Sequence, residues 1–557
     1  MVNVKNLFGM AVMATALVGC SSNDNLAPDG KDNVGKTGEA YASFTINLPT
    51  TSGTRATEGE PSFDEGAAKE YEVKNGTILI FDKDGLYVTS AQLGTMNPWT
   101  PVKTDGVTTA AITTVKLSGV KVGGDYQALV LLNNGVDATT SKVTLPATGT
   151  PYATWSADAS KVNAEKYAST DGIFMANAPK YIDTESQPTT LVKVANVCAS
   201  REEAQAKAAT TVYVERGLAK VTMQNYTDGG YTVAEGTYKG DKVEIKNWQL
   251  DVTNKSTFPV HQIGETGYDA IWSTPRFYDG DNKTFKRVYW GVDPNYSGAT
   301  LQNLTACKKA FTMIGKNDIA GKTGNDHPQY CLENTFDLAN MMQGQTTRVV
   351  FKAVFTPKDF TTGQTFYKIG TNTAIWKKAD LEEQIHTVAV TAMGITDATE
   401  QAKYVVKLDA TDNNISGEAG QHLIKAENIT YTGEAALSKV KPDIVNTINE
   451  KLGLSADAGI ATYLDGVTYY IARIKHFNEL TPWKAGKPYG TENDKYLGRY
   501  GVLRNNWYDL SVTSISGLGY PDVPEGKPTL PDDENDQYVN VEVKILSWAK
   551  RSQSIDL

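Results

Sequence analysis

Short runs in which apolar and polar residues alternate recur along the chain, separated by Gly, Asn and Asp turn signals. A period of two puts the apolar side chains on one face of an extended strand. Such a chain hides its apolar residues only by pairing strands and packing sheet on sheet. Ala42, Phe44, Ile46 and Leu48 alternate with Ser43, Thr45 and Asn47, which predicts a strand with one dry face. Residues 78–81 and 86–88 flank Asp82-Lys83-Asp84-Gly85 and read as a hairpin. Residues 126–132 are almost continuously apolar, as a central strand requires. Further strands are expected at 212–223, 243–252, 347–355, 468–474, 508–515 and 539–545. Helical pattern is confined to 201–208 and to 434–452, the latter interrupted by Pro442. The expectation is an all-β protein with a few short helices, built as two β-sandwich domains that meet near residue 211.

With 557 residues and 40% apolar content, more than one core can form. Fifty-four Lys and Arg against 64 Asp and Glu give a net charge of −10, which disfavours nucleic acid as a partner. Four Cys are too few for a disulfide scaffold of this size, and five His are a poor supply for acid–base or zinc chemistry.

The first 20 residues read as an address. Lys5 supplies the positive start, and residues 7–18 form a 12-residue apolar run, too short to span a membrane as a helix. The run ends in Leu17-Val18-Gly19-Cys20, the pattern of a bacterial lipobox in which the Cys20 thiol accepts the lipid. Acylation would anchor the chain to a membrane without a transmembrane helix. Residues 21–38, rich in Gly, Asn and Asp, read as a flexible tether. They include a formal phosphate-loop match at residues 30–37, but no buried strand precedes it and no helix follows, so nucleotide binding is not expected.

At the other end, residues 521–537 are rich in Pro and Asp and read as an extended, solvated spacer. A strongly alternating strand follows: Val539, Val541, Val543 and Ile545, then Trp548. Left alone, it would expose an apolar face and an unpaired backbone edge. It either folds back as the last strand of its own sandwich or completes a neighbour.

Other chemistry is sparse. His261, His327, His386, His422 and His476 have no metal-ligand spacing and read as surface or turn residues. Cys307 and Cys331 are a possible disulfide across a 24-residue interval, which would leave Cys198 free. Tyr470, Trp483 and Trp507 are either core residues or exposed platforms for sugar. No nucleophile elbow or Cys-x-x-Cys occurs, so an enzyme is not expected, nor any cofactor or metal.

Several segments taken in order resemble a known family. They are the lipobox at Cys20, the strand 41–49 followed by Thr54-Arg55-Ala56, and residues 214–221. Farther along come 245–248, 257–259, 330–335, 352–358, 503–510 and 517–519, then the spacer and 541–557. In this order they resemble the fimbrillins of Bacteroidales, subunits of protease-assembled (type V) pili, most closely the shaft subunit of the minor, short fimbriae.

The resemblance implies two transthyretin-like β-sandwiches plus a C-terminal donor strand. It divides the chain into a signal (1–20), tether (21–38), propeptide with first strand (39–55) and N-terminal sandwich (56–211). The C-terminal sandwich (212–520), spacer (521–537) and donor strand (538–557) follow. It also implies an outer-membrane lipoprotein precursor, cleaved between Arg55 and Ala56 by an Arg-specific surface protease, that ends in an extracellular fimbrium. The strand carrying Phe44, Ile46 and Leu48 is then removable, each side chain worth roughly 1.5–3 kcal/mol on burial. With about half a dozen ladder hydrogen bonds, the empty groove would cost on the order of 10 kcal/mol. A neighbour's Val539–Trp548 strand would fill it, and because that contact is head-to-tail it propagates into a filament. The implied partners are further copies of the chain, anchor and tip subunits, the protease, and host or bacterial adhesion ligands. The alternatives are a tip or accessory fimbrial subunit, or a monomeric surface lipoprotein that binds glycan.

Overall fold

The computed structural model describes residues 37–49, 66–93, 100–104, 107–181, 189–263, 286–287, 290–296, 301–337, 339–408, 420–476, 496–532, 540–547 and 549–556. The lipidation residue Cys20, the Arg55–Ala56 bond, Trp483, Val539 and Trp548 lie outside them.

Alternation becomes strands as expected. The first body uses β1 (Thr37–Pro49), β2 (Gly76–Asp82), β3 (Tyr87–Gln92), β4 (Thr100–Thr104), β5 (Val107–Lys121), β6 (Tyr126–Leu132), β7 (Met175–Asn177) and β8 (Thr210–Arg216). They run in the order β3-β2-β6-β7-β8-β1-β5-β4. The two halves of this order are joined through β8, which pairs with β1 over Thr210–Tyr213 and with β7 over Val214–Arg216. They face each other, because one core cluster takes Phe44 and Ile46 from β1, Ile78 and Ile80 from β2, Leu117 from β5 and Val130 from β6. This is a sandwich with interdigitated inner faces.

The second body begins with β9 (Leu218–Met223) and adds β10 (Lys242–Asp251), β11 (Gln329–Leu332), β12 (Arg348–Thr356), β13 (Val467–Arg473), β14 (Asn506–Ser514), β15 (Asn540–Ser547) and β16 (Ala549–Asp556). One sheet runs β11-β9-β14-β15-β16; the other includes β10-β12-β13 in that order. Trp248, Phe351, Tyr470, Tyr508 and Leu510 form the core between them.

The chain leaves the first sandwich later than expected. Residues 212–223 read as one strand set, but the chain changes sheets at Gly217, between β8 and β9. A Cβ there would lie 2.3 Å from the Tyr167 hydroxyl, so only glycine lets the crossing pack this closely. A second departure is a lobe with its own core, formed by the Lys378–Ala392 and Pro442–Lys451 helices and short strands, including Leu381, Ile385, Ile448 and Ile460. Pro442 does not kink a helix. It occupies the first turn of the second one, where its missing N–H costs nothing.

The spacer is not solvated over its first part. Tyr520 exchanges backbone hydrogen bonds of 2.7 and 2.8 Å with Tyr469, and Asp522 pairs with Lys316 at 3.1 Å. Val523 is buried, Lys527 and Leu530 carbonyls accept from Gly344 and Gln343, and Asp532 accepts from the Thr346 hydroxyl at 3.1 Å. Residues 520–532 are therefore a strap. A Pro-rich segment cannot donate a full ladder, but its carbonyls still accept.

The remaining expectations divide. Cys307 and Cys331 are free, and so is Cys198; all three are buried. The expected bridge is not formed because Cys307 packs in a cluster with Trp290 and Phe311, whereas Cys331 belongs to the main core of the second sandwich. Tyr470 and Trp507 are buried and offer no sugar platform. His261, His422 and His476 are buried as well: His261 Nδ1 is 2.8 Å from Glu215, and His476 Nδ1 is 2.8 Å from the Tyr508 hydroxyl. Among the described residues no group of His, Cys, Asp and Glu could hold a metal, and no helix is long and apolar enough to cross a membrane.

Candidate assembly site

β1 is held along both edges. It pairs antiparallel with β5, from Thr37 opposite Lys121 to Pro49 opposite Val107, and parallel with β8, Phe44 opposite Thr210 to Asn47 opposite Tyr213. Its inner face places Ala40, Ala42, Phe44 and Ile46 at full burial. Leu48 continues the same alternation, and its backbone stands opposite Thr109.

The outer face is drier than the polar residues suggest. Ser43 is buried: its hydroxyl lies 2.8 Å from the Thr114 hydroxyl and donates to the Ala204 carbonyl at 2.8 Å. The Arg201–Ala206 helix lies across this face, capped by Ser200 accepting from Glu203 N–H. Arg201 stacks over the Tyr41 ring at 5.7 Å and donates to the Thr114 carbonyl at 2.9 Å. Cys198 exchanges backbone hydrogen bonds of 2.9 and 2.8 Å with Tyr41. A single strand is thus clasped on two edges and two faces.

Downstream of the Arg55–Ala56 bond, the first described segment is anchored deeply. Glu70, in the Ala68–Tyr71 helical turn, is almost fully buried and forms an ion pair of 2.8 Å with Lys220 of β9. Tyr330 donates to the same carboxylate, the Lys220 ammonium lies 3.6 Å from the centre of the Trp507 ring, and Arg216 Nε donates to the Glu70 carbonyl at 2.8 Å. Desolvation pushes the Arg216 guanidinium down to about 10, against the pull of Glu70. Sequence reasoning missed this cluster. Its one legible trace was a pair of cations, Arg216 and Lys220, placed inside apolar strands.

The tail folds back onto its own body. β15 pairs antiparallel with β14, Ile545 opposite Tyr508 and Val543 opposite Leu510, and Val541 of β15 stands opposite Ile555 of β16. Within the single chain, this strand pairs with the sheet of its own body.

Residues 461–554 match the family model described as major fimbrial subunit protein type IV, fimbrillin, C-terminal. No curated protein matches the chain. Among solved structures, one from Parabacteroides distasonis, described as a candidate cell adhesion protein, covers 92% of this chain and 98% of its own, at 11% identity and TM-score 0.37. A fimbrial assembly protein from the same species covers 60% of this chain and 94% of its own, at 15% identity and TM-score 0.28. The tip fimbrial protein Mfa3 from Porphyromonas gingivalis, with a C-terminal truncation, covers 91% of this chain and 100% of its own, at 11% identity and TM-score 0.24.

Proposed function

We propose, from the match of residues 461–554 to the fimbrillin C-terminal family model, that this chain is a shaft subunit of a cell-surface fimbria that polymerises by strand exchange. The precursor is exported as a lipoprotein on Cys20, and an Arg-specific protease cuts between Arg55 and Ala56. β1 then leaves, and the slot between β5 and β8 takes the C-terminal strand of the next subunit. The observation that carries this reading is the placement of β1: a strand at the start of the chain occupies an interior position, with Phe44 and Ile46 in the core.

The internal pairing of β15 with β14 is compatible with the state before cleavage. While β1 fills the slot, its effective concentration is that of an attached segment, and a neighbour cannot compete. The tail then rests on its own sheet edge. Cutting removes the tether from β1 and leaves an interior vacancy, whereas moving β15 and β16 together exposes only the edge of β14.

Arg55→Ala should leave full-length lipoprotein and abolish the ladder of heat-labile polymer on gels, and N-terminal sequencing of the mature form should begin at Ala56. Polymer formed normally by Arg55→Ala would refute the cleavage step. The tail's place on its own sheet favours a second reading, a monomeric glycan-binding surface lipoprotein. Deleting residues 538–557 separates the two: it converts a polymer to processed monomer under the first and changes no assembly state under the second.

A further inference from the structure

A cavity of about 350 Å³ lined mostly by polar residues opens at the end of the first sandwich, where β2 begins and β6 ends. No residue of β1, β5 or β8 lines it, so it is separate from the assembly slot. Its walls are prebuilt. Asn133, at φ 57°, accepts from Lys74 N–H at 2.7 Å and donates to the Glu72 and Ile173 carbonyls at 2.9 Å each. Asn75 accepts from Gly135 N–H at 3.0 Å. These bonds tie together the loops before β2, after β6 and before β7.

Three lysines line this cavity against one carboxylate, in a chain whose net charge is −10. Asp171 is engaged by Lys74. Lys166 donates to the Thr139 carbonyl. Lys142 is only 6% exposed and donates to the Gly172 carbonyl; among the described residues it has no ion pair. A buried ammonium held by a neutral carbonyl has only a shared countercharge here, the Asp171 carboxylate that Lys74 already engages. The cost is visible in its protonation: burial pushes the Lys142 amine down to about 8, the Lys74 charge adding to the effect and Asp171 opposing it. The other lining groups, among them Thr139, Thr140 and Ser169, are neutral hydroxyls and amides suited to a polyol.

We propose that this cavity binds a single acidic sugar, its carboxylate or sulfate held by Lys142 and Lys166 and its hydroxyls by the Asn75, Thr and Ser side chains. A volume near the lower end of ordinary ligand pockets holds one sugar unit. The proposal does not rest on polymerisation.

The test is calorimetric titration of the full chain at pH 7 with glucuronic acid, N-acetylneuraminic acid, galactose 6-sulfate, glucose and sodium sulfate. At least one acidic sugar should bind saturably, at least tenfold more tightly than glucose or sodium sulfate. Its affinity should fall between pH 7 and 9 as Lys142 loses its proton. Lys142→Met should abolish binding, and Lys166→Ala, on the outer wall, should weaken it at least fivefold without changing the melting temperature. If Lys142→Met does not fold, Lys166→Ala decides. Absence of saturable binding by all three acidic sugars, equal affinity for sodium sulfate, or unaltered binding by Lys166→Ala would overturn the proposal.

Discussion

Glu70 and Lys220 meet as a buried ion pair of 2.8 Å that joins the segment entering the first sandwich to the first strand of the second. Both charges are shielded from solvent, so their attraction is not dissipated, and neither tolerates loss of the other. Glu70→Gln should destabilise the chain by about 3–5 kcal/mol, the cost of leaving a buried charge without its partner. Lys220→Met combined with Glu70→Gln should recover part of that loss. Denaturant unfolding of the two variants and the double variant measures the coupling.

The inner face of β1 predicts a cavity penalty. Phe44→Ala should cost about 3–5 kcal/mol in the full-length precursor, because Phe44 is fully buried between Ile78, Leu117 and other core residues. The same change should have no effect on a mature form that has lost β1. Comparing the two by thermal unfolding tests whether the strand stays.

Asp293 makes stability depend on pH. Burial pushes its carboxyl up to about 7, while hydrogen bonds from Asn295 and Thr335 oppose the shift and Glu333 adds to it. The folded state therefore holds a proton between about 4 and 7 that the unfolded state releases. Its contribution to stability is complete below about 3.8 and is lost as pH rises through about 7. Against Asp293→Asn as reference, the wild-type chain should lose stability from pH 4 to pH 8, read as urea midpoints.

The strap should be separable from the body. A Cβ on Gly526 would fall 2.9 Å from the Gln343 carbonyl oxygen and from Gly344 Cα, closer than a side-chain carbon packs. Gly526→Val should lift residues 520–532, and hydrogen exchange at Asp532 N–H, which donates to the Met341 carbonyl at 3.0 Å, should quicken at least tenfold.

Cysteine chemistry gives a simpler check. Denatured without reductant, the chain should alkylate at Cys198, Cys307 and Cys331, all three being free in the fold. Mass spectrometry of the labelled peptides shows it directly.

Legibility followed locality. The alternation at Phe44 and Ile46 and the hairpin around Asp82-Lys83-Asp84-Gly85 were readable because a strand's face and a tight turn are set by adjacent residues. The sheet change at Gly217 was not, because its cause is Tyr167, fifty residues upstream. Composition misled at the strap: Pro and Asp signal solvation, yet Pro524 and Lys527 carbonyls find donors in Arg348 and Gly344, which no local pattern announces. The charged joint at Glu70 left a trace only on its far side, in the cations Arg216 and Lys220 inside apolar strands, since one acidic residue in a polar stretch looks like surface until its distant cation is known.

β1 has one neighbour running with it and one running against it. A replacement threaded in either sense would again find one companion of each kind, but the longer ladder with β5 favours the sense that keeps it antiparallel. The direction in which a chain of subunits runs would then be set jointly by that ladder and by the shapes of the holes that Phe44 and Ile46 vacate.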